Sequence, residues 1–153
     1  MLKKVSRQRQ SGAGCRFVIV ASRFNVPYVD AMVRAARLEL KRAGGTVRTL
    51  RVPGAFEIPV VAAKLAASSE PPSAVICLGV IFQGQTSHAK HVAWGVTHAL
   101  AQIQIQHHVP VIHGVFEFEN KEHARVRCMD PDHNRGTEAA RTAIHMAGLM
   151  SGI

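Results

Sequence analysis

Short apolar runs alternate with longer amphipathic segments along most of the chain. Four runs are dominated by β-branched and other apolar residues and predict strands at 16–22, 46–52, 74–79 and 110–116. The segments between and after them repeat apolar residues at helical spacing and predict five helices, at 28–42, 58–67, 86–106, 120–127 and 137–149. Strands that alternate with helices favour a four-stranded parallel sheet covered on both faces, which is a three-layer α/β/α sandwich.

Length and composition fit one globular domain. The chain has 153 residues, of which 47% are hydrophobic, and a chain of about 150 residues buries roughly 68–70% of its unfolded surface. No apolar run approaches the roughly 20 residues that span a bilayer, so we expect no membrane partner. Residues 1–14 are polar and basic and lack the apolar segment of a signal peptide. We therefore expect a flexible basic arm at 1–14, a single domain at 15–153 and a cytoplasmic location.

The number of cysteines and the net charge limit the classes of function that this protein can have. Cys15, Cys77 and Cys128 are odd in number and have no CxxC spacing, so we expect neither a disulfide scaffold nor a cysteine-built zinc site. The 19 Lys and Arg residues exceed the 10 Asp and Glu residues and give a formal charge of +9, which raises the hypothesis of a nucleic-acid-binding protein. However, no nucleic-acid-binding motif is present, and the 5% aromatic content leaves few surfaces on which bases could stack. We expect no specific nucleic-acid partner.

Ligands of parallel α/β sheets bind outside the carboxyl ends of the strands, so the residues that follow each strand are the candidates for chemistry. Phe24 follows the first strand and either stacks on a flat ring or closes an edge of the core. Asn25, beside it, is placed to cap the next helix. After the second strand, Pro53-Gly54 forces a turn. Glu57 then either accepts hydrogen bonds from sugar-like hydroxyls or stabilises the start of a helix through its dipole.

The segment after the third strand suits a phosphate. It passes through Gly84 into Thr86-Ser87, which offers backbone N–H groups, hydroxyls and the positive end of a helix, although the GK[ST] ending of a P-loop is absent. His88 either transfers protons beside such an anion or is one ordinary histidine among nine. His88, His91 and His98 fall near one helical face. Because His91 and His98 would lie about 10 Å apart, they suit one metal ion poorly, and we expect no metal.

Arginines follow the fourth strand. The guanidinium group suits bidentate recognition of phosphate, which makes Arg127 and Arg135 candidates for that role. The alternative is that each side chain only solvates the outer surface of its helix or turn.

Taken together, these segments resemble lumazine synthase, the family that makes 6,7-dimethyl-8-ribityllumazine in the penultimate step of riboflavin synthesis. Within residues 16–150 the matching motifs are 23–25 (RFN), 52–59 (VPGAFEIP), 77–81 (CLGVI), 84–88 (GQTSH), 110–115 (PVIHGV) and Arg127 ahead of 134–136 (NRG). The VPGAFEIP and GxTxH strings at this separation are highly specific together. The resemblance implies a flavodoxin-like fold and a transferase without metal or organic cofactor. Its reaction would condense 5-amino-6-(D-ribitylamino)uracil with 3,4-dihydroxy-2-butanone 4-phosphate and release phosphate and water.

The resemblance also implies a role for each matching residue. His88 would be the catalytic residue that transfers protons. Phe24 would stack on the pyrimidine, and Val80, Ile81 and Phe82 would present backbone groups to the edge of that ring. Ala55, Phe56 and Glu57 would hold the ribityl chain and the adjoining part of the uracil. Gln85 and Thr86, together with Arg127, would bind the phosphate.

Active sites of this family lie between subunits, so the resemblance implies a homo-oligomer in which His113 and Arg127 complete a neighbour's site. Pentamers, pairs of pentamers and sixty-subunit icosahedral shells all occur in the family, and riboflavin synthase is an expected partner. At two places the chain departs from the family pattern. His113 stands where an aromatic or apolar residue is common. In the turn before the last helix, Pro131 and His133 stand where the family often has Lys and Gly. Arg135 stands where the family often has Lys, and it keeps the positive charge.

A second hypothesis is a catalytically silent protein of the same fold that binds a flavin or lumazine. The presence of both His88 and Arg127 favours the enzyme, because a protein that only binds needs no proton shuttle. The sequence leaves open the size of the assembly, the contacts of the basic arm and the preferred stereoisomer of the butanone.

Overall fold

Four parallel strands form one sheet between two layers of helices. The computed structural model describes residues 2–5 and 10–153. The strands are β1 (Arg16–Ser22), β2 (Thr46–Val52), β3 (Ala74–Phe82) and β4 (Val111–Phe118), in the spatial order β2-β1-β3-β4. The helices are α1 (Val26–Arg42), α2 (Ile58–Ala66), α3 (His88–His107), α4 (Lys121–Met129) and α5 (Arg135–Ser151), and a 3₁₀ turn (Ala55–Glu57) precedes α2. Within the described ranges, no helix combines the length and apolar character needed to cross a membrane.

Alternating side chains of the central strands divide the core into two halves. Phe17 and Ile19 of β1 point to one face, where they pack with buried residues of α1, α4 and α5. Val18 and Val20 point to the other face, where they pack with buried residues of α2 and α3. Since β1 and β3 lie inside the sheet and are covered on both faces, they are apolar almost throughout. The predicted three-layer flavodoxin-like sandwich is confirmed.

The sequence predicted every strand and helix, and differences are confined to their ends. The largest is in β3, which continues from the predicted end at residue 79 to Phe82 because its ladder with β4 runs on to the pair Phe82↔Phe118. The third helix begins at His88 rather than at Thr86. The last helix begins at Arg135 because the side chain of Asn134 caps it, accepting from the backbone N–H groups of Gly136 and Thr137.

The predicted cap at Asn25 is wrong. Asn25 precedes α1 with left-handed backbone angles (φ 60°, ψ 43°), and its side chain makes no capping hydrogen bond. Its amide nitrogen instead donates to the carbonyl oxygen of Val80 at 2.7 Å. Sequence alone favours the local cap because the partner at the end of β3 is 55 residues away along the chain.

Parts of the predicted basic arm contact the folded domain. Met1 and residues 6–9 lie outside the described residues. Of the remainder, the backbone N–H of Val5 donates to the carbonyl oxygen of Asp132 at 3.0 Å, and the Lys4 ammonium lies 3.3 Å from the Asp132 carboxylate. Farther along, the N–H of Gly12 donates to the carbonyl oxygen of Ala43 at 2.8 Å. The flexibility of residues 1–14 stays a prediction.

Helix α5 packs closely against the backbone of α1 at Gly136. A Cβ atom on Gly136 would overlap the carbonyl oxygen of Met32 and lie 2.7 Å from its Cα atom. Because the obstacle is backbone, we expect Gly136→Ala to lower the free energy of unfolding by about 1–3 kcal/mol, measured by denaturant titration. Gly148→Ala on the same helix is the control, since, apart from its chain neighbours and the backbone of its own helix, no described atom lies within 4 Å of its Cβ position. Equal loss of stability in both variants would contradict a steric cause.

Candidate active site

A cleft of about 860 Å³ opens at the carboxyl ends of β1, β2 and β3, beside the first turn of α3. Most residues implied by the family resemblance line it: Phe24, Ala55, Phe56, Glu57, Val80, Ile81, Phe82, Thr86 and His88. Gln85 lies in the same exposed segment as Thr86 but is not part of the lining. This is the position at which parallel α/β sheets bind ligands, since loops from neighbouring strands meet there.

Two exposed aromatic rings line the cleft. The Phe24 side chain is 66% exposed and that of Phe56 is 63% exposed, so neither closes an edge of the core. A Cβ atom on Gly54 would lie 3.0 Å from a carbon of the Phe24 ring, and one on Gly95 would lie 3.2 Å from a carbon of the Phe56 ring. Each ring edge therefore rests against glycine backbone. Flat rings held in this way offer apolar surfaces to a planar ligand.

Glu57 stabilises a turn and is also placed to accept hydrogen bonds in the cleft. Its Oε2 atom accepts a hydrogen bond from the backbone N–H of Gly54 at 2.8 Å, which stabilises the 3₁₀ turn. The same side chain lines the cleft and is exposed. A carboxylate has a second oxygen, so the bond to the turn orients the group and leaves Oε1 to accept from a ligand hydroxyl.

The end of β3 presents backbone to the cleft. The ladder between β1 and β3 ends at Leu78, whereas the ladder between β3 and β4 continues to Phe82. The last four residues of β3 are therefore paired on the β4 side only. On the other side, the side chain of Asn25 donates a hydrogen bond to the carbonyl oxygen of Val80 and so connects the loop after β1 to this edge.

Alternation along β3 determines which backbone groups face the cleft. The N–H of Gln83 donates to Phe118 in β4, while the carbonyl of Val80 points the opposite way, to Asn25. Since successive strand residues direct their polar backbone groups to opposite sides, those of Phe82 point the same way as those of Val80. The backbone of Ile81 faces β4, so Ile81 contributes its side chain to the cleft.

His88 is the first residue of α3 and is exposed to the cleft. Its backbone N–H donates to the Thr86 hydroxyl at 3.3 Å, and the helix has no side-chain cap at Ser87. The first N–H groups of a helix have no partners within the helix and carry its positive dipole end. An anion bound there would lie beside the imidazole of His88.

His113 and Arg127 do not reach this cleft within one chain. His113 lies on β4 and lines a groove of about 410 Å³ with Phe116 and Arg135. Arg127 is half-buried in the last turn of α4 and lines a separate cavity of about 550 Å³ with Phe116 and Glu117. The cleft of a single chain thus holds the proton-transfer candidate and the aromatic rings but not Arg127, the candidate for binding phosphate.

Sequence reasoning missed Ala89, which follows His88 in the first turn of α3 and lines the cleft. It also missed His91 and Val92, which line the same cleft. Both lie one turn beyond His88, at the spacing of three and four residues that places side chains on one helical face. That spacing was the available signal, but His91 was considered only as a metal ligand. Among residues 2–5 and 10–153, no group of three or more His, Cys, Asp or Glu side chains is arranged to hold a metal ion.

Cys77 and Cys128 lie in the two halves of the core and not in the cleft. Burial raises the pKa of the Cys128 thiol to about 12, and it raises the pKa of the Cys77 thiol even more. Because the thiolate is the reactive form, we expect neither to react with iodoacetamide near neutral pH until the protein unfolds. Peptide mass spectrometry before and after denaturation measures this. Alkylation of either thiol in the folded protein at the rate of an unfolded control would contradict it.

The sequence is similar to known proteins over most of its length. A family model described as 6,7-dimethyl-8-ribityllumazine synthase matches residues 14–151, which include all strands and helices and every candidate residue. A protein of that name from Stenotrophomonas maltophilia (strain R551-3) is 39% identical over 138 residues, 88% of each chain. Those from Xanthomonas campestris pv. campestris (strain B100) and Xanthomonas euvesicatoria pv. vesicatoria (strain 85-10) are 39% and 38% identical, over 88% of this chain and 89% of theirs.

Proposed function

The chain belongs to the 6,7-dimethyl-8-ribityllumazine synthase family, and from this membership we infer that it is a transferase of riboflavin biosynthesis. It condenses 5-amino-6-(D-ribitylamino)uracil with 3,4-dihydroxy-2-butanone 4-phosphate to form 6,7-dimethyl-8-ribityllumazine. The observation that carries the mechanism is the position of His88, at the start of α3 and in the same cleft as the Phe24 and Phe56 rings. A silent flavin-binding protein of this fold would not need that group.

The reaction requires proton transfers and orientation more than a strong nucleophile. The amine of the uracil adds to the ketone, water leaves to form an imine, and phosphate is eliminated before the ring closes. Each step moves a proton, and an imidazole transfers protons efficiently near neutral pH. The substrate brings its own amine, so much of the acceleration comes from holding the two substrates together.

Different residues in the lining of the cleft are suited to bind different parts of the two substrates. The pyrimidine stacks on Phe24, and the backbone groups of Val80 and Phe82 are directed to its edge. The ribityl chain lies along the 3₁₀ turn (Ala55–Glu57), where Glu57 accepts from its hydroxyls. The phosphate lies at the start of α3, where the backbone N–H groups and Thr86 stabilise the negative charge of the leaving group.

The phosphate site is completed by a neighbouring subunit. His113 and Arg127 line other cavities of their own chain, so both are placed to serve a second chain if β4 and α4 pack against its cleft. The assembly is then a homo-oligomer, with one active site at each contact of this kind. Riboflavin synthase, which would consume the lumazine, is the predicted protein partner.

Formation of the lumazine from the two substrates tests the activity. We expect the purified chain to release a fluorescent product together with inorganic phosphate, both of which can be followed continuously. A rate equal to that of a protein-free control would overturn the assignment. Mass photometry at the assay concentration tests the assembly, because a monomer that is fully active would exclude sites shared between subunits.

A further inference from the structure

Both ring nitrogens of His113 are engaged in hydrogen bonds. The Nε2 atom lies 2.8 Å from the hydroxyl oxygen of Thr97, which is on α3. The Nδ1 atom accepts from the backbone N–H of Val115 at 3.4 Å. The imidazole is thus held between a helix and its own strand, although it is exposed in the single chain.

These contacts assign the protonation state of the ring. A backbone N–H can only donate, so Nδ1 must carry a lone pair, and the proton of the neutral ring lies on Nε2, where it is donated to Thr97. Partial burial lowers the pKa of His113 below its ordinary value, which favours the same neutral form. The charged side chains that line its groove are Arg135 and Glu138 of α5, which pair with each other.

A neutral imidazole with both nitrogens occupied has only its ring faces left for a ligand. Such a ring serves as a flat surface, as a phenylalanine ring does, rather than as a hydrogen-bonding group. We propose that Thr97 is a positioning residue, which holds His113 so that a face of its ring packs against the pyrimidine in the adjoining subunit's cleft. This rests on the proposed function, in which His113 reaches the substrate of a neighbour.

Helix α3 then serves two active sites. Its first residue, His88, transfers protons in the cleft of its own chain. Thr97 lies nine residues farther along the helix, roughly 14 Å away, and orients the ring that β4 presents to the next chain. The same helix therefore links the catalytic group of one site to the stacking surface of another.

A double-mutant cycle tests the role of Thr97. We expect Thr97→Val to raise the KM for ribitylaminouracil about three- to tenfold, the range for one lost hydrogen bond, with kcat within about twofold of wild type. Thr97→Ser keeps the hydroxyl and should restore the wild-type KM. His113→Phe keeps a flat ring but has no nitrogen for Thr97 to hold, so adding Thr97→Val to it should change nothing further.

The control is Thr46→Val, which removes an exposed hydroxyl from β2, at the opposite edge of the sheet from β4. Thermal midpoints and assembly mass are compared for all variants, so that a folding defect is recognised. An equal effect of Thr97→Val with and without the His113→Phe change would overturn the proposal. So would a His113→Phe enzyme as weak as His113→Ala.

Calorimetric binding of ribitylaminouracil alone separates this proposal from the activity. If the wild-type protein binds this compound but forms no lumazine, the proposed function fails. The cycle can still be completed with dissociation constants in that case. A threefold or greater loss of affinity in Thr97→Val that vanishes in the His113→Phe background supports the positioning role, and its persistence overturns it.

Discussion

Replacing His88 by alanine is expected to lower kcat about 100- to 10,000-fold, the usual contribution of a positioned general acid or base. The side chain is exposed at the first turn of α3, so its loss removes no core packing. Stability and assembly should remain at the wild-type level. Binding of ribitylaminouracil should change little, because the aromatic rings and the 3₁₀ turn are intact. Continuous lumazine fluorescence measures kcat, and calorimetry measures the binding.

The control for this variant is His107→Ala, which removes a histidine from the other end of the same helix, roughly 28 Å away. It should keep the wild-type kcat. Added imidazole should partly restore turnover to His88→Ala, because the cleft is open to solvent. A His88→Ala enzyme with more than a third of the wild-type kcat would show that another group transfers the protons.

Replacing Arg127 by alanine is expected to lower kcat/KM for the butanone phosphate about 30- to 1,000-fold. Losing one partner of a charge-assisted, partly buried contact costs about 2–4 kcal/mol, and each 1.36 kcal/mol is a factor of ten. The KM for ribitylaminouracil should change much less, because that substrate carries no phosphate. Steady-state kinetics with each substrate varied in turn separates the two effects.

Arg125→Ala is the matched control for Arg127→Ala. Arg125 lies on the same helix and is exposed, and its guanidinium pairs with Glu122 at 2.7 Å. It removes the same charge from the chain without touching the cavity that Arg127 lines. Equal losses in the two variants would mean that net charge, and not a specific contact, draws in the phosphate.

Mixed assemblies test whether Arg127 acts across a subunit contact. Subunits carrying Arg127→Ala keep His88, and those carrying His88→Ala keep Arg127. When equal amounts are unfolded and reassembled together, about a quarter of the subunit contacts join the two intact groups. Activity near a quarter of wild type is therefore expected from two nearly inactive variants. No recovery in mixed assemblies of confirmed composition would place both residues in one chain's site.

Most of the fold was predictable because its signals are local. A strand buried on both faces must be apolar almost throughout, as 16–22 and 74–79 are, and helices must repeat apolar residues about every 3.6 positions. The strand ends were also predictable, since parallel strands bring their following loops to one edge of the sheet. Phe24, Glu57 and His88 come together for that reason, although they are far apart along the chain.

The errors occurred where the partner lies far away along the chain. Asn25 has the residue type of a helix cap, but the extension of β3 beyond the end of β1 exposes the Val80 carbonyl, and Asn25 takes that bond instead. The extension itself depends on β4, which has enough residues to pair as far as Phe82. Neither contact has a local signal.

The sequence by itself determined the α/β class, the parallel sheet, the family and the residues at the strand ends, because periodicity and motif strings depend only on neighbours along the chain. Only the tertiary structure decided which of those residues share a cleft, and it left His113 and Arg127 outside. It also decided the protonation state of His113, through contacts with Thr97 and Val115. Orientation, burial and hydrogen-bond partners depend on distances in space, and the order of residues does not contain them.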